Sequence, residues 1–144
     1  MFADVILPLP LPGYFTYAVP PELQADVAVG KRVEVQFGRK KLYAGIVRHL
    51  HENRPGLNRV KYVQEVLDEW PVVTEPHLAM WDWMTDYYLA HLGEIMWAAL
   101  PGALRLSSET QLSLSAKGAK KEWPTDMSDD AYELLEALET HDSL

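Results

Sequence analysis

The sequence predicts an α+β fold in which a small mixed β-sheet or barrel packs against an aromatic-rich helical segment. Residues 1–67 contain short runs in which apolar and polar residues alternate, which is the pattern of half-buried strands. After Pro71 the apolar residues recur every three or four positions, as in an amphipathic helix. The chain has 144 residues, of which 48% are hydrophobic, so it can bury one proper core.

Two strands are predicted in the first twenty residues. Ala3–Leu7 is a short apolar run that ends before Pro8, because proline cannot donate to a strand ladder. Tyr14–Val19 resumes with aromatic and β-branched residues, which favour strands, and ends before Pro20.

Three further strands follow. Val33–Phe37 alternates with period two, and Gly38 with Arg39–Lys41 makes the turn after it. Leu42–Leu50 is the next strand, and Val60–Leu67 alternates again. Five short strands joined by short loops favour a compact mixed sheet or barrel.

A helical region is predicted between Thr74, as N-cap, and Pro101. Its apolar stripe is wide, so we expect it to pack on the sheet along most of its circumference, with Trp81, Trp83 and Trp97 in the core. The stripe consists of Leu78, Trp81, Met84, Tyr88 and Leu92, widened by Trp83, Tyr87 and Ile95. Gly93 is the expected point of interruption.

The pattern of apolar and polar residues changes again from Ser107. Ser128 is expected to open a last, leucine-faced helix that runs to Leu144. We assign residues 1–105 to one domain and expect residues 106–144 to be the truncated beginning of a second module. A C-terminal helix that docks on the first domain is the alternative.

The positive charge is concentrated in one window. Nine of the thirteen Lys and Arg residues lie between Lys31 and Lys61, where Glu34 and Glu52 are the only acids, so the window carries +7. The whole chain has a net charge of −8. Because phosphate attraction depends on charges within roughly 8–10 Å, the local field decides binding. We predict a basic face that contacts nucleic-acid phosphates through Arg39, Lys40, Lys41, Arg48 and Arg59. A solvated strand pair whose charges only keep a sheet edge soluble is the alternative.

Composition excludes several kinds of site. The chain has no cysteine, which rules out disulfides, thiolate zinc sites and a cysteine nucleophile. It has no Walker-type phosphate-binding loop, no signal peptide and no long apolar run, so we expect a cytoplasmic chain without catalytic residues. His49 and His51 share a strand face but lack a third ligand nearby, so we predict no metal site and assign them to the basic face. Asp82 and Asp86 are expected on a solvated helix surface.

Several short motifs occur in a specific order and spacing across residues 1–105. They are Leu7–Pro12, Phe15–Tyr17, Val35–Arg39, Gly45–Val47, Lys61–Val63, Glu65–Asp68, Asp86–Tyr88, Leu92–Glu94 and Ala99–Pro101. Together they resemble the N-terminal part of the PriA family (primosomal protein N′), the bacterial replication-restart helicases. Residues 106–144 resemble the start of that family's winged-helix region.

The resemblance implies that residues 1–105 form a 3′-DNA-binding domain. Such a domain would hold the terminal nucleotide of the nascent leading strand at a stalled fork and so orient the helicase for primosome reassembly. The residues that the resemblance places in the 3′-end pocket are Phe15, Thr16, Tyr17, Gly38 and Lys61. An aromatic ring would stack on a base, a glycine would let the backbone approach, and a lysine would bind phosphate or the terminal hydroxyl. Each residue also has a structural interpretation, as core aromatic, turn glycine or solvated lysine.

One position departs from the family pattern. Better-studied members carry an acidic residue where this chain has Thr16, and a carboxylate accepts hydrogen bonds more strongly than a hydroxyl group. We therefore expect recognition at that point to rest more on backbone groups.

For the full-length protein, the resemblance implies an ATP-dependent 3′-to-5′ helicase that uses ATP, magnesium and zinc. No cofactor is expected in this chain itself. The implied partners are forked DNA with a free 3′ end, other primosome proteins and single-stranded-DNA-binding protein, and no membrane. The alternative function is a protein-interaction module without direct nucleic-acid contact. An independent enzyme is disfavoured because no set of nucleophile, base and orienting residue is present.

Overall fold

A computed structural model describes residues 1–56 and 59–106, together with Ser128 and Asp130. Its strands are β1 (Phe2–Ile6), β2 (Phe15–Ala18), β3 (Arg32–Phe37), β4 (Lys41–His51) and β5 (Val63–Val66). Its helices are α1 (Glu75–Tyr88) and α2 (Leu92–Ala99), with single 3-10 turns at Pro21–Leu23 and Gly102–Leu104. The five predicted strands are thus confirmed, with bounds that differ by a few residues.

The five strands form one curled sheet in the order β2-β1-β4-β3-β5. All four ladders are antiparallel, so the expectation of a mixed sheet is wrong for the strands themselves. The two outer strands approach each other at one end, where Ala18 forms a parallel bridge with Tyr62 and its N–H donates to the Lys61 carbonyl at 2.8 Å. The sheet is therefore a half-barrel, drawn together at the mouth between β2 and the segment that precedes β5.

The apolar core has two parts. One lies within the curl of the sheet and includes Val5, Tyr17, Val33, Val35 and Val47, all at most 4% exposed. The other lies where the helices pack on the sheet, and its members are Ile6, Ile46, Val73, Leu78, Trp81, Leu92, Ile95, Met96 and Leu100. The predicted packing of a helical segment on the sheet is confirmed.

The helices pack on a narrower face than the sequence predicts. In α1 only Leu78 and Trp81 are buried, whereas Trp83 is 58% exposed and Tyr87 is 66% exposed. Trp97 in α2 is 41% exposed. The expectation that all three tryptophans lie in the core therefore holds for Trp81 alone, because a helix that lies on a sheet buries one side.

The helical region is interrupted at Leu89, not at Gly93. Leu89 adopts a left-handed conformation with φ 55°, and the N–H of His91 then donates to the Glu94 carboxylate at 3.0 Å to begin α2. Gly93 lies inside α2 and is buried. Its lack of a side chain serves close packing, because a Cβ there would lie 2.1 Å from the Leu7 carbonyl oxygen and 2.4 Å from that of Leu9.

By its contacts the chain divides into two compact units, Met1–Ser108 and Glu109–Leu144. The helix predicted from Ser128 and the winged-helix-like character of residues 106–144 lie almost entirely outside the described residues and stay predictions. Among the helices of the described part, none has the length and apolar character needed to cross a membrane.

Candidate nucleic-acid interface

A cavity of about 350 Å³ opens where the edge strand β2, the β3–β4 turn and residues 59–61 meet. All five residues proposed for the 3′-end pocket line it, although they come from three separate segments of the chain. They are Phe15, Thr16, Tyr17, Gly38 and Lys61, and the remaining lining residues are Tyr14, Gln36, Phe37, Arg59 and Val60. The volume lies in the range of small-molecule sites.

The two aromatic residues of the edge strand differ in their exposure. Tyr17 is only 4% exposed and its hydroxyl donates to the Gln36 carbonyl at 3.3 Å. Burial raises the pKa of Tyr17 to about 12, so the phenol stays protonated and uncharged. Phe15 is partly buried and meets Phe37 edge-on, with 4.8 Å between ring centroids. Tyr17 is thus a core residue, and Phe15 is the better placed of the two to contact a base.

Thr16 presents its side chain and its backbone to different neighbours. Its hydroxyl donates to the Asp4 carboxylate at 2.7 Å, so that proton is committed. Backbone groups alternate in direction along a strand. The N–H of Thr16 therefore points to the same side as that of Ala18, away from β1 and toward the edge where Lys61 lies. The edge of β2 consequently offers a backbone donor and acceptor at Thr16.

Gly38 and Lys61 meet across the cavity, where the Lys61 ammonium donates to the Gly38 carbonyl oxygen. Gly38 has φ 68°, a left-handed conformation that the β3–β4 turn requires and that glycine adopts without strain. A Cβ at this position would meet no protein atom within 4 Å. The turn therefore leaves open space beside the Lys61 ammonium group.

The exposed positive charge follows the same rim. Arg39, Lys40 and Lys41 are all exposed in and beside the β3–β4 turn, and Arg59 lines the cavity and is exposed. Gln36 supports the turn, because its side-chain amide donates to the Arg39 carbonyl at 2.7 Å. Four of the five residues predicted for the basic face thus lie beside the cavity or in the turn that helps to form it.

The structure does not bring Arg48 to this rim. Its guanidinium donates to Glu75 at 2.9 Å and to Asp82 at 2.8 Å, and its side chain is 11% exposed. Arg48 therefore connects β4 to α1. Asp82, which the sequence analysis placed on a solvated surface, is an ion-pair partner.

Two other positive charges of the basic window serve the fold. Lys31 is 9% exposed, and its ammonium donates to the Asp26 carbonyl at 2.7 Å. Arg32 forms an ion pair with Asp68. The field available to a ligand is therefore smaller than the charge count of the window suggests, and it is concentrated at the turn.

His49 and His51 lie on either side of the Asp4 carboxylate. Nε2 of His51 is 3.2 Å from Oδ1, and Nδ1 of His49 is 3.7 Å from Oδ2. Both histidines are predicted for the basic face, but the acidic side chain of Asp4 from β1 lies between them. This cluster lies on the same side of the sheet as the Thr16 hydroxyl.

The chain resembles known proteins over most of its length. The family model of the PriA 3′DNA-binding domain (3′BD) matches residues 4–101. The replication restart protein PriA of Haemophilus influenzae is 34% identical over 104 residues, and that of Bacillus subtilis is 29% identical over 117 residues. These alignments cover 70% and 79% of this chain, respectively, but in each case only 14% of the relative. PriA of Treponema pallidum is 26% identical over 106 residues, or 71% of this chain. The family model covers more than half of the chain, and the chain therefore belongs to the PriA 3′ DNA-binding domain family.

Proposed function

We propose that the chain holds the 3′-terminal nucleotide of a DNA strand in the cavity between β2, the β3–β4 turn and residues 59–61. The observation that carries this proposal is that three distant segments bring Phe15, Thr16, Tyr17, Gly38 and Lys61 around one cavity. The exposed cations of the turn lie beside it. Family membership supports DNA as the partner.

The groups at the cavity suit a nucleotide in distinct ways. The backbone donor and acceptor of Thr16 at the sheet edge can pair with the polar edge of a base. Phe15 can contact the face of that base, and stacking on an aromatic ring contributes roughly 1–3 kcal/mol in other single-strand binders. The Lys61 ammonium, which rests on the Gly38 carbonyl, can exchange that contact for a phosphate or a sugar hydroxyl.

We propose that, in the full-length protein, binding of the 3′ end in this cavity orients a helicase at a stalled fork. The chain spans about a seventh of the curated relatives that it matches. We propose that the motor belongs to the remainder of such a full-length protein. We propose that ATP, magnesium and zinc serve those other parts, and that primosome proteins and single-stranded-DNA-binding protein act through the full-length chain.

The first prediction concerns recognition of a free 3′ end. A cavity that seats the terminal sugar against the β3–β4 turn should accept a 3′-hydroxyl and disfavour a 3′-phosphate, because the extra group adds bulk where the terminal sugar sits. We expect the chain to bind a short oligonucleotide with a 3′-hydroxyl at least tenfold more tightly than the same oligonucleotide with a 3′-phosphate. Fluorescence anisotropy with 5′-labelled DNA measures this ratio, and a 5′-phosphate on the same DNA is the matched control.

Equal affinity for the two 3′ ends would show that the chain has a basic surface without an end-reading pocket. The Lys61→Ala variant refines the result. It should lower affinity for the 3′-hydroxyl DNA more modestly than the 3′-phosphate does, since it removes one charge but leaves the space unchanged.

Charge reversal at the turn makes the second prediction. Replacing Arg39, Lys40 and Lys41 by Glu should weaken binding to every DNA sequence and make the salt dependence shallower, because these cations contact phosphates. Their side chains are exposed, so the melting temperature should hardly change. Affinity measured at several salt concentrations tests this, with the exposed Arg54→Glu as a single-site control. A triple variant that melts much earlier but binds DNA normally would contradict the assignment.

A second candidate function is protein binding by α1. Trp83 and Tyr87 are exposed and stack on each other with 4.9 Å between ring centroids. Exposed, contiguous aromatic residues are common in protein interfaces. The acidic residue Asp86 lies beside them and disfavours phosphate there. The helix is therefore suited to a protein partner, while the cavity is suited to DNA.

A further inference from the structure

A second and larger cavity, of about 500 Å³, lies between β4, the segment after β1 and the start of α2. Its apolar and aromatic lining includes Pro8, Leu9, Tyr43, Trp97 and Leu106. Lys41 also lines it. None of the residues so far assigned to the 3′ end lines this cavity.

The second cavity combines aromatic rings with nearby positive charges. The Arg105 guanidinium lies 5.4 Å from the centre of the Trp97 ring, and the Lys41 ammonium lies 5.1 Å from the centre of the Tyr43 ring. Glu94 also lines the cavity, but its carboxylate accepts the N–H of His91 at 3.0 Å, at the start of α2. Aromatic rings with cations beside them suit a nucleotide, because its base can stack on a ring while its phosphate contacts a cation.

A row of aromatic contacts runs from the lining of the first cavity to the lining of the second. Phe15 and Phe37 line the first cavity and lie 4.8 Å apart. Phe37 in turn lies 6.2 Å from Tyr43, which lines the second cavity. Phe37 is also paired with Lys41 in the β3–β4 ladder. Because Phe37 lines the first cavity and its ladder partner Lys41 lines the second, a single strand of DNA that follows the basic turn can contact both cavities.

We propose that the second cavity binds a nucleobase of the same strand, a few nucleotides before the 3′ end, with Trp97 as its stacking surface and Lys41 beside the adjoining phosphate. This inference rests on the proposed function of the first cavity. Trp97 is 41% exposed although it lies in a largely apolar cavity, so part of its ring is accessible to a base. The neighbouring cations favour a nucleotide over a purely apolar side chain.

The test combines removal of one base from the DNA with removal of the Trp97 ring from the protein. We would measure the affinity of the unmutated chain and of Trp97→Leu for a set of oligothymidylates that end in a 3′-hydroxyl. Each oligonucleotide carries a single abasic residue, at the second, third or fourth position counted from the 3′ end. We expect one abasic position to lower the affinity of the unmutated chain by roughly tenfold, as loss of a stacked base does elsewhere. In Trp97→Leu the same abasic residue should have no further effect. The exposed Trp83→Leu is the matched control and should keep the full abasic effect.

Either of two outcomes would contradict the proposed base-binding site. If no abasic position matters to the unmutated chain, or if the abasic effect survives in Trp97→Leu, the second cavity does not bind a base. The preference for a 3′-hydroxyl over a 3′-phosphate is measured on the same variants and should persist in Trp97→Leu. Loss of that preference in the unmutated chain alone overturns the first cavity's function, so the two failures are distinguishable.

Discussion

Replacing Asp68 by Asn is expected to lower the free energy of unfolding by about 1–3 kcal/mol, because it leaves a largely buried, hydrogen-bonded guanidinium without its charged partner. The side chains of Arg32 and Asp68 are only 12% and 8% exposed, and their closest atoms are 2.5 Å apart. The Asp68 carboxylate also accepts the backbone N–H of Arg32 at 2.8 Å, and the guanidinium donates to the Leu104 carbonyl. The pair thus ties β3 to the segment after β5 and to the turn after α2.

The same pair predicts how stability depends on pH. Burial alone would raise the pKa of Asp68, but the hydrogen bonds and the charge of Arg32 outweigh burial and hold the pKa below its ordinary value of 3.8. A carboxyl group whose pKa is lowered by folding stabilises the folded state fully above the unfolded pKa, and this contribution is lost as the pH falls through the folded pKa. Unfolding by urea between pH 7 and pH 3 should therefore show a shallower loss of stability for Asp68→Asn than for the unmutated chain.

Two comparisons separate the ion pair from general charge effects. Glu69→Gln changes the same charge at an exposed neighbouring position and should leave stability within about 0.5 kcal/mol. The double variant Arg32→Met with Asp68→Leu should recover much of the loss, because an apolar pair leaves no buried charge without a partner. An Asp68→Asn variant as stable as Glu69→Gln would mean that the pair contributes little.

The strands were predictable because their signals are local. Period-two alternation in Val33–Phe37 and the turn at Gly38 are properties of a few adjacent residues, and both are confirmed. The 3′-end residues came from family resemblance, and the structure explains why composition could not group them. Phe15, Gly38 and Lys61 lie on different segments that only the curled sheet brings together.

The charge partners were not predictable from the sequence. Arg48 and Asp82 are 34 residues apart, and Arg32 and Asp68 are 36 residues apart. Nothing in the local pattern distinguishes such a cation from one that faces solvent. A charge count therefore located the basic window correctly but included Arg48, which the fold uses to attach α1 to the sheet.

The prediction that the wide apolar stripe of the helical region is buried was wrong for a related reason. Spacings of three and four residues place Trp81 in the apolar stripe and Trp83 in register with Tyr87, but they do not show how far around the helix the sheet reaches. The structure covers Trp81 and leaves Trp83 58% exposed. Surplus aromatic residues on a helix therefore indicate either core or interface, and only the packing decides between them.

Gly93→Ala is expected to destabilise the chain by about 1–3 kcal/mol or more, as overpacking does in other cores. Inside a helix the same change normally stabilises by up to about 1 kcal/mol, because glycine has the greater conformational freedom in the unfolded state. At Gly93 the new Cβ would lie 2.1 Å from the Leu7 carbonyl oxygen and 2.8 Å from the backbone N of Leu9. Backbone atoms cannot rotate aside as a side chain does, so α2 would have to move away from the segment after β1.

Thermal and urea unfolding measure this loss, which should lower the melting temperature by roughly 4–8 °C per kcal/mol in a domain of this size. Gly102→Ala is the matched control, because a Cβ there would meet nothing within 4 Å. The second cavity gives an independent readout, since Gly93, Leu9 and Trp97 all line it. A displaced α2 should therefore weaken the abasic coupling at Trp97 while leaving the 3′-hydroxyl preference of the first cavity intact. A Gly93→Ala variant as stable as Gly102→Ala would show that α2 does not pack this closely on the strand segment.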